Sequence, residues 1–321
     1  MEQHDVFTLG ETMVVFQPDQ YAPLDYVHQF PKKIGGAESN VAIGLARLGH
    51  QVSWFSQLGD DPFGRFILKT IRGEGVDVST CQFTRESPTG LLFKEQLSPD
   101  DLNVYYYRHQ SAASMMTPDQ LDEDAVSQAK ILHITGITPA LSKSAYDTTM
   151  RAIKIAKAHG VTVTFDPNLR LKLWSEDRAR LVLQEIASLA DVILPGIDEG
   201  EFLTGETEPE AIAKALNPQG DKTIIVKLGD EGAYYATAGE DGYVSGFKVR
   251  RVVDPVGAGD GFAAGIISGL LSGESIDHVI KRANAIGAMV VGMAGDIEGL
   301  PTAEAVEKFM VPDQEQRDVK R

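Results

Sequence analysis

Asp260 stands behind two glycines in the run Asp254-Pro255-Val256-Gly257-Ala258-Gly259-Asp260-Gly261. Gly257 and Gly259 free the backbone to turn tightly and to approach a ligand closely. A helix expected from Gly261 to Leu271 would aim N–H groups and the positive end of its dipole at an anion. A phosphate cradle that carries one carboxylate makes chemical sense if Asp260 takes a proton from a hydroxyl attacking a phosphoryl group. The competing reading is an ordinary glycine-rich turn, from a strand at Gly246 to Val253 into a helix capped by Asp260. The run is neither GxGxxG nor GxxxxGK[ST], so it is not a dinucleotide fingerprint or a Walker loop.

Three further stretches place polar groups where a ligand would be met. Gly35 and Gly36 let a ligand reach the backbone, and Asn40 can donate or accept. Ser39 is the expected N-cap of the helix that follows, and Gly49 its stop. Asp166-Pro167-Asn168-Leu169-Arg170 follows a strand at Val161 to Phe165. Lys227-Leu228-Gly229-Asp230-Glu231-Gly232 ends a strand at Thr223 to Leu228 and offers contacts for a nucleotide. Taken singly, each stretch reads equally as a plain turn.

The elements that must position these groups alternate. Strands are expected at Val6 to Gly10, Val52 to Gln57, Ile131 to Thr135, Val161 to Phe165, Val192 to Leu194 and Thr223 to Leu228. Helices are expected at Ser142 to His159, Glu176 to Leu189 and Ser275 to Met293. This alternation predicts an α/β fold, a mostly parallel sheet covered on both faces. Ligands then sit beyond the carboxyl ends of the strands, where Asp166 and Asp260 both fall. Leu91 to Leu97 and Asn103 to Arg108 interrupt the pattern as a hairpin that leaves the main sheet as a flap. Tyr21 to Phe30 reads as strand or loop.

The 321-residue chain has a net charge of -16, which speaks against nucleic acid and anionic membrane surfaces as partners. An anionic substrate would need local arginine or lysine. The single cysteine, Cys81, allows no internal disulfide and fits a reducing cytosol, and the polar N-terminus is no signal peptide. No apolar run has transmembrane length. Seven histidines are scattered without metal-ligand spacing. There is no GxSxG elbow, and the charged tail from Val311 is expected to fray.

Gly35-Gly36-Ala37-Glu38-Ser39-Asn40 resembles the N-terminal signature of the PfkB (ribokinase-like) carbohydrate kinases. Asp254 to Asp260 resembles their C-terminal signature, and the resemblance spans essentially the whole chain. It implies a single domain over residues 1–321, a three-layer α/β/α sandwich with a small β lid from roughly 11–33 and 88–110. It implies ATP and Mg²⁺, with Asp260 as catalytic base and the Gly257, Ala258 and Gly259 amides as an anion hole. Nucleotide contacts are expected from Lys227, Gly229, Gly232, Gly257, Gly259 and Asn284, and an indirect metal role from Glu199.

Tyr107 to Ser114, Phe165 to Arg170 with Trp174, and Gly295 to Pro301 resemble the 2-keto-3-deoxygluconate kinases of that family. By that likeness Gly36, Asn40, Tyr106, Arg108, Asp166, Arg170 and Asp260 hold a sugar acid whose 6-phosphate is the product. Arginine forks suit its carboxylate. A fructokinase or other neutral-sugar kinase shares both signatures, and a non-catalytic sugar-binding regulator is the reading from another class. Two positions depart from the family's pattern: Leu92, where some members have a tyrosine, and Gly196, where many have asparagine. Asp260, at a helix N-terminus, is expected to be a weak ground-state base. Pairing of chains through the lid is expected.

Overall fold

The computed structural model describes residues 4–98 and 101–311. The Pro99-Asp100 turn of the expected hairpin, and the tail beyond Val311, lie outside the described residues. The strands in chain order are β1 (Val6–Leu9), β2 (Met13–Phe16), β3 (Lys32–Gly35), β4 (Val52–Phe55), β5 (Gln57–Gly59), β6 (Gln82–Thr84), β7 (Leu91–Ser98) and β8 (Asp101–Tyr107). They continue with β9 (Ile131–Thr135), β10 (Thr162–Asp166), β11 (Val192–Ile193), β12 (Thr223–Lys227), β13 (Gly232–Ala236) and β14 (Asp241–Ser245). The helices are α1 (Ala37–Arg47), α2 (Pro62–Gly73), α3 (Glu123–Ser127), α4 (Ile137–Leu141), α5 (Lys143–Ala158) and α6 (Glu176–Leu189). After them come α7 (Ile197–Thr204), α8 (Pro209–Leu216), α9 (Ala258–Ser272), α10 (Ile276–Val290) and α11 (Ala303–Met310).

An eight-stranded sheet runs in the order β14-β13-β12-β11-β10-β9-β1-β4. From β4 to β12 in that order the pairings are parallel, and only β13 is reversed, pairing antiparallel with both β12 and β14. Its strands read as apolar runs because both faces are covered. Val6, Ile131, Val192 and Ile225 point to one core, packed by α1, α2, α9 and α10. Their neighbours Phe7, Leu132, Ile193 and Ile224 point to the other, packed by α5, α6, α7 and α8. The period-two alternation of a strand thus builds the expected three-layer α/β/α sandwich.

A second sheet of four strands, β3-β2-β7-β8, forms the flap. Strands β7 and β8 pair antiparallel, as the hairpin reading expects, while β2 and β7 pair parallel. Tyr21 to Phe30 holds only a single 3-10 turn, at Leu24–Tyr26.

Three local expectations are corrected. The strand before the glycine run is Asp241–Ser245, not Gly246 to Val253. Gly246 spends its N–H on the Glu231 carbonyl, and the chain then leaves the sheet with Val252 and Val253 in solvent. Helix α9 starts at Ala258, so Asp260 lies within its first turn. The N-cap of α1 is Gly36 rather than Ser39, whose hydroxyl instead donates back to the Gly36 carbonyl.

Candidate active site

The carboxyl ends of the parallel strands open into a cavity of about 930 Å³. Strand β1 has β4 on one side and β9 on the other, so consecutive connections diverge there, and such switch points leave a crevice. Helices α1 and α9 aim their N-termini into it, β10 and β12 supply Asp166 and Lys227, and the flap covers it with β7 and β8.

Asp260 is buried on the cavity wall, and Asn40 Nδ2 donates to its Oδ2 at 2.7 Å. Burial, with the charges of Asp166 and Asp296 behind it, pushes the Asp260 carboxyl from 3.8 up to about 7, against the Asn40 bond and Arg170. Such a rise is worth roughly 4 kcal/mol, at 1.36 kcal/mol per pH unit. The helix dipole returns only about 1 kcal/mol. The expected weak base is therefore corrected: desolvation wins, and Asp260 changes protonation near neutrality. Asn40 Oδ1 is buried and meets no partner among the described residues, so it is left to accept a ligand hydroxyl.

Gly257 is the N-cap of α9 at φ 82, a left-handed conformation that costs a side chain about 1–2 kcal/mol. A Cβ there would also stand 2.5 Å from the Asp296 carbonyl oxygen. Ala258, Gly259 and Asp260 follow with their N–H groups at the helix start. Gly36, at the head of α1, is pressed against the Glu11 carbonyl so closely that no Cβ fits.

Lys227 closes the floor. Its Nζ lies 3.0 and 2.8 Å from the two Asp166 oxygens and 4.0 Å from Glu199. Burial works against its charge, but Asp166 and Glu199 hold its pKa above the ordinary value. A Cβ on Gly259 would be 3.9 Å from that ammonium, so a fixed cation flanks the glycine turn. Asp166, expected to meet substrate, lines the cavity and is held there by Lys227 and by the Asn168 N–H.

Arg108 and Arg170 differ in availability. Arg108 is stacked 5.6 Å from the Tyr106 ring. Its Nε donates to Glu11 Oε2 at 2.7 Å, with a terminal nitrogen on the same oxygen. Glu11, whose other oxygen takes the Ser111 hydroxyl, was not foreseen as a partner. The free fork expected of Arg108 is thus largely occupied. Arg170 is exposed and, among the described residues, its guanidinium hydrogen-bonds the Leu169 carbonyl at 3.1 Å.

Gly229, Gly232 and Asn284, expected to touch nucleotide, do not line this cavity. Asn284 gives its amide to the Val244 and Ser245 carbonyls, and Gly232 pairs with Ser245. The three form one neighbourhood at the β13–β14 edge. Glu199 lines the cavity, but its two oxygens accept the Leu169 and Gly196 N–H groups. Among the described residues, no cluster of three His, Cys, Asp or Glu side chains could hold a metal. Leu92 lines the cavity, and Gly196 serves as the N-cap of α7. Lys94 and Asp296 also reach the cavity. Nothing in the alternation of β7 marks Lys94 as buried, so only the fold reveals it.

The model of the pfkB family of carbohydrate kinases matches residues 3–303. A 2-dehydro-3-deoxygluconokinase from Bacillus subtilis is 47% identical over 309 residues, covering 95% of each chain. A probable fructokinase-7 from Arabidopsis thaliana is 34% identical over 317 residues, covering 95% of this chain and 92% of that one. A crystal structure described as a ribokinase II from E. coli, in complex with ATP and Mg²⁺, superposes with a TM-score of 0.89 at 28% identity. That match covers 95% of this chain and 98% of the other.

Proposed function

The chain belongs to the pfkB family of carbohydrate kinases, and from that membership we propose that it phosphorylates 2-dehydro-3-deoxygluconate (2-keto-3-deoxygluconate) with ATP. The product is the 6-phosphate. The observation that carries the chemistry is Asp260: a buried carboxyl that titrates near 7, at the start of a helix, in a cavity large enough for two ligands. The relative at 47% identity supports the sugar acid over fructose, since the fructokinase named above stands at 34%.

In this reading ATP lies with its terminal phosphate against the Gly257, Ala258 and Gly259 amides, beside the Lys227 ammonium. The sugar acid lies under the flap, between Gly36, Asn40, Tyr106 and Arg170, with its terminal hydroxyl at Asp260. Asp260 takes the hydroxyl proton as the oxygen–phosphorus bond forms and the bond to the leaving ADP breaks. Asn40 holds Asp260 in register and accepts from the sugar. Most of the rate comes from this positioning and from charge placed beforehand where the phosphoryl group passes. Mg²⁺ would arrive with the nucleotide and offset the charge of its phosphates, and Glu199 would act only indirectly, by anchoring the Leu169 and Gly196 N–H groups. Arg170 faces the carboxylate, and Arg108 with Glu11 shapes the sugar pocket's wall.

ADP release measured over a panel of sugars and sugar acids tests the reading. A clear preference for 2-dehydro-3-deoxygluconate is expected. Equal rates on fructose would favour the neutral-sugar alternative, and no release on any acceptor would remove the kinase.

Strand β8 is an edge strand that leaves Tyr105 and Tyr107 in solvent, which supports pairing of two chains through the flap. Sedimentation showing monomers would end that idea. No described helix is long and apolar enough to cross a membrane, and a cytoplasmic enzyme fits the substrates proposed.

A further inference from the structure

One buried cluster of charges has no part in the roles above. Lys94 belongs to the flap strand β7, yet its side chain is only 3% exposed. Its Nζ stands 2.9 Å from Asp296 Oδ1 and 3.6 Å from Asp254 Oδ2. Asp254 accepts the Val256 N–H at 3.0 Å and the Gly295 N–H at 3.2 Å. It therefore ties the turn before α9 to the loop that carries Asp296. The Asp296 carbonyl in turn backs Gly257. A second flap lysine, Lys33, reaches the same loop, at 3.1 Å from the Ala294 carbonyl and 3.4 Å from Glu298.

The N-terminus of α9 thus rests on a loop pair whose two buried carboxylates are met from the flap. Without a cation there, both carboxylates would be left uncompensated in surroundings that screen charge poorly, and Asp296 lines the hollow meant to receive an anion. Asp296 already adds to the negative field at Asp260. Burial works against the Lys94 charge, but Asp296 and Asp254 hold its pKa above the ordinary value, so the ammonium persists.

We propose that Lys94 is a positioning residue for phosphoryl transfer: a fixed cation, carried on the flap, that holds the Asp254–Gly257 turn in shape and screens Asp254 and Asp296 from the incoming phosphoryl group. The anion hole is then complete only when the flap is seated on the body. This inference rests on the kinase reading.

The test compares the parent enzyme with Lys94→Met and Lys94→Ala. Loss of kcat by about 100-fold is expected, the cost of a small displacement at the reacting centre. The KM for the sugar acid should stay within about threefold. In Lys94→Ala, ammonium or methylammonium should fill the vacated space and recover activity saturably, whereas tetramethylammonium should not. A merely structural lysine would show no such rescue of kcat. Parent-like kcat in Lys94→Met, or indifference of Lys94→Ala to small ammonium ions, overturns the proposal. If the single variants do not fold, Lys94→Met with Asp296→Asn removes the pair together, which buried pairs tolerate better. Parent-like kcat in that double variant overturns the proposal equally. A parent inactive on every acceptor would instead remove the kinase reading itself.

Discussion

Asn40 and Asp260 are 220 positions apart in sequence, and one hydrogen bond of 2.7 Å joins them. Asn40 comes from the first turn of α1 and Asp260 from the first turn of α9. The two signature runs are therefore halves of one site, closed by the packing of α1 on α9.

Asp260→Asn should keep ATP and sugar binding largely intact, because an amide fills the same space. Turnover should fall by about 10²–10⁴, the usual worth of a positioned proton acceptor. Binding by calorimetry and turnover by ADP release check both halves. Near-normal turnover would take Asp260 out of the mechanism.

The same carboxyl sets a pH dependence. As a base it must be ionised, so kcat/KM should fall as pH drops through about 7. Stability runs the other way. The folded chain holds a proton on Asp260 between 3.8 and about 7 where the unfolded chain does not. Its contribution is thus fully present below 3.8 and lost progressively as pH rises from there to about 7. Asp260→Asn should raise Tm most at pH 8, less at pH 5, and hardly at all below pH 3.8. An unchanged Tm at pH 8 would mean the ionised carboxylate costs nothing in place.

Asn40→Ala removes a bond that lowers the Asp260 pKa. The acid limb of the kcat/KM profile should therefore move to higher pH. A limb that stays in place, or moves down, would separate Asn40 from the control of Asp260.

The two arginines should respond differently. Arg170→Ala should raise the KM for a sugar acid by about 10-fold or more, the worth of a charge-assisted bond, with a smaller effect on a neutral sugar. Arg108→Ala leaves Glu11, only 2% exposed, as a buried unpaired charge. It should destabilise the fold by about 3–5 kcal/mol. Glu11→Gln with Arg108→Met should recover much of that loss. Denaturant titration and KM values together decide between a binding and a structural Arg108.

Gly257→Ala should abolish most activity and destabilise the chain by at least about 1–2 kcal/mol, from the left-handed backbone alone. The Asp296 carbonyl adds a clash. Parent-like activity would show that the turn is free to rearrange.

Much of this was legible in the residues. The apolar runs of β1, β9, β10 and β12, spaced by helices, announce strands buried on both faces, because such a run is local and survives without tertiary contacts. Gly257, Gly259 and Asp260 announce a glycine turn that presents a carboxylate at the head of a helix for the same reason, and Gly36 and Asn40 announce its counterpart. What those patterns do not contain is partnership across the chain. The occupation of Arg108 by Glu11, the seat of Lys227 on Asp166, and the burial of Lys94 against Asp254 and Asp296 each join groups far apart in sequence. The basicity of Asp260 is of that kind too. A helix N-terminus read alone makes it a weak base, but only the closed fold excludes water from it, and desolvation is a property of the surroundings that no single stretch of residues carries.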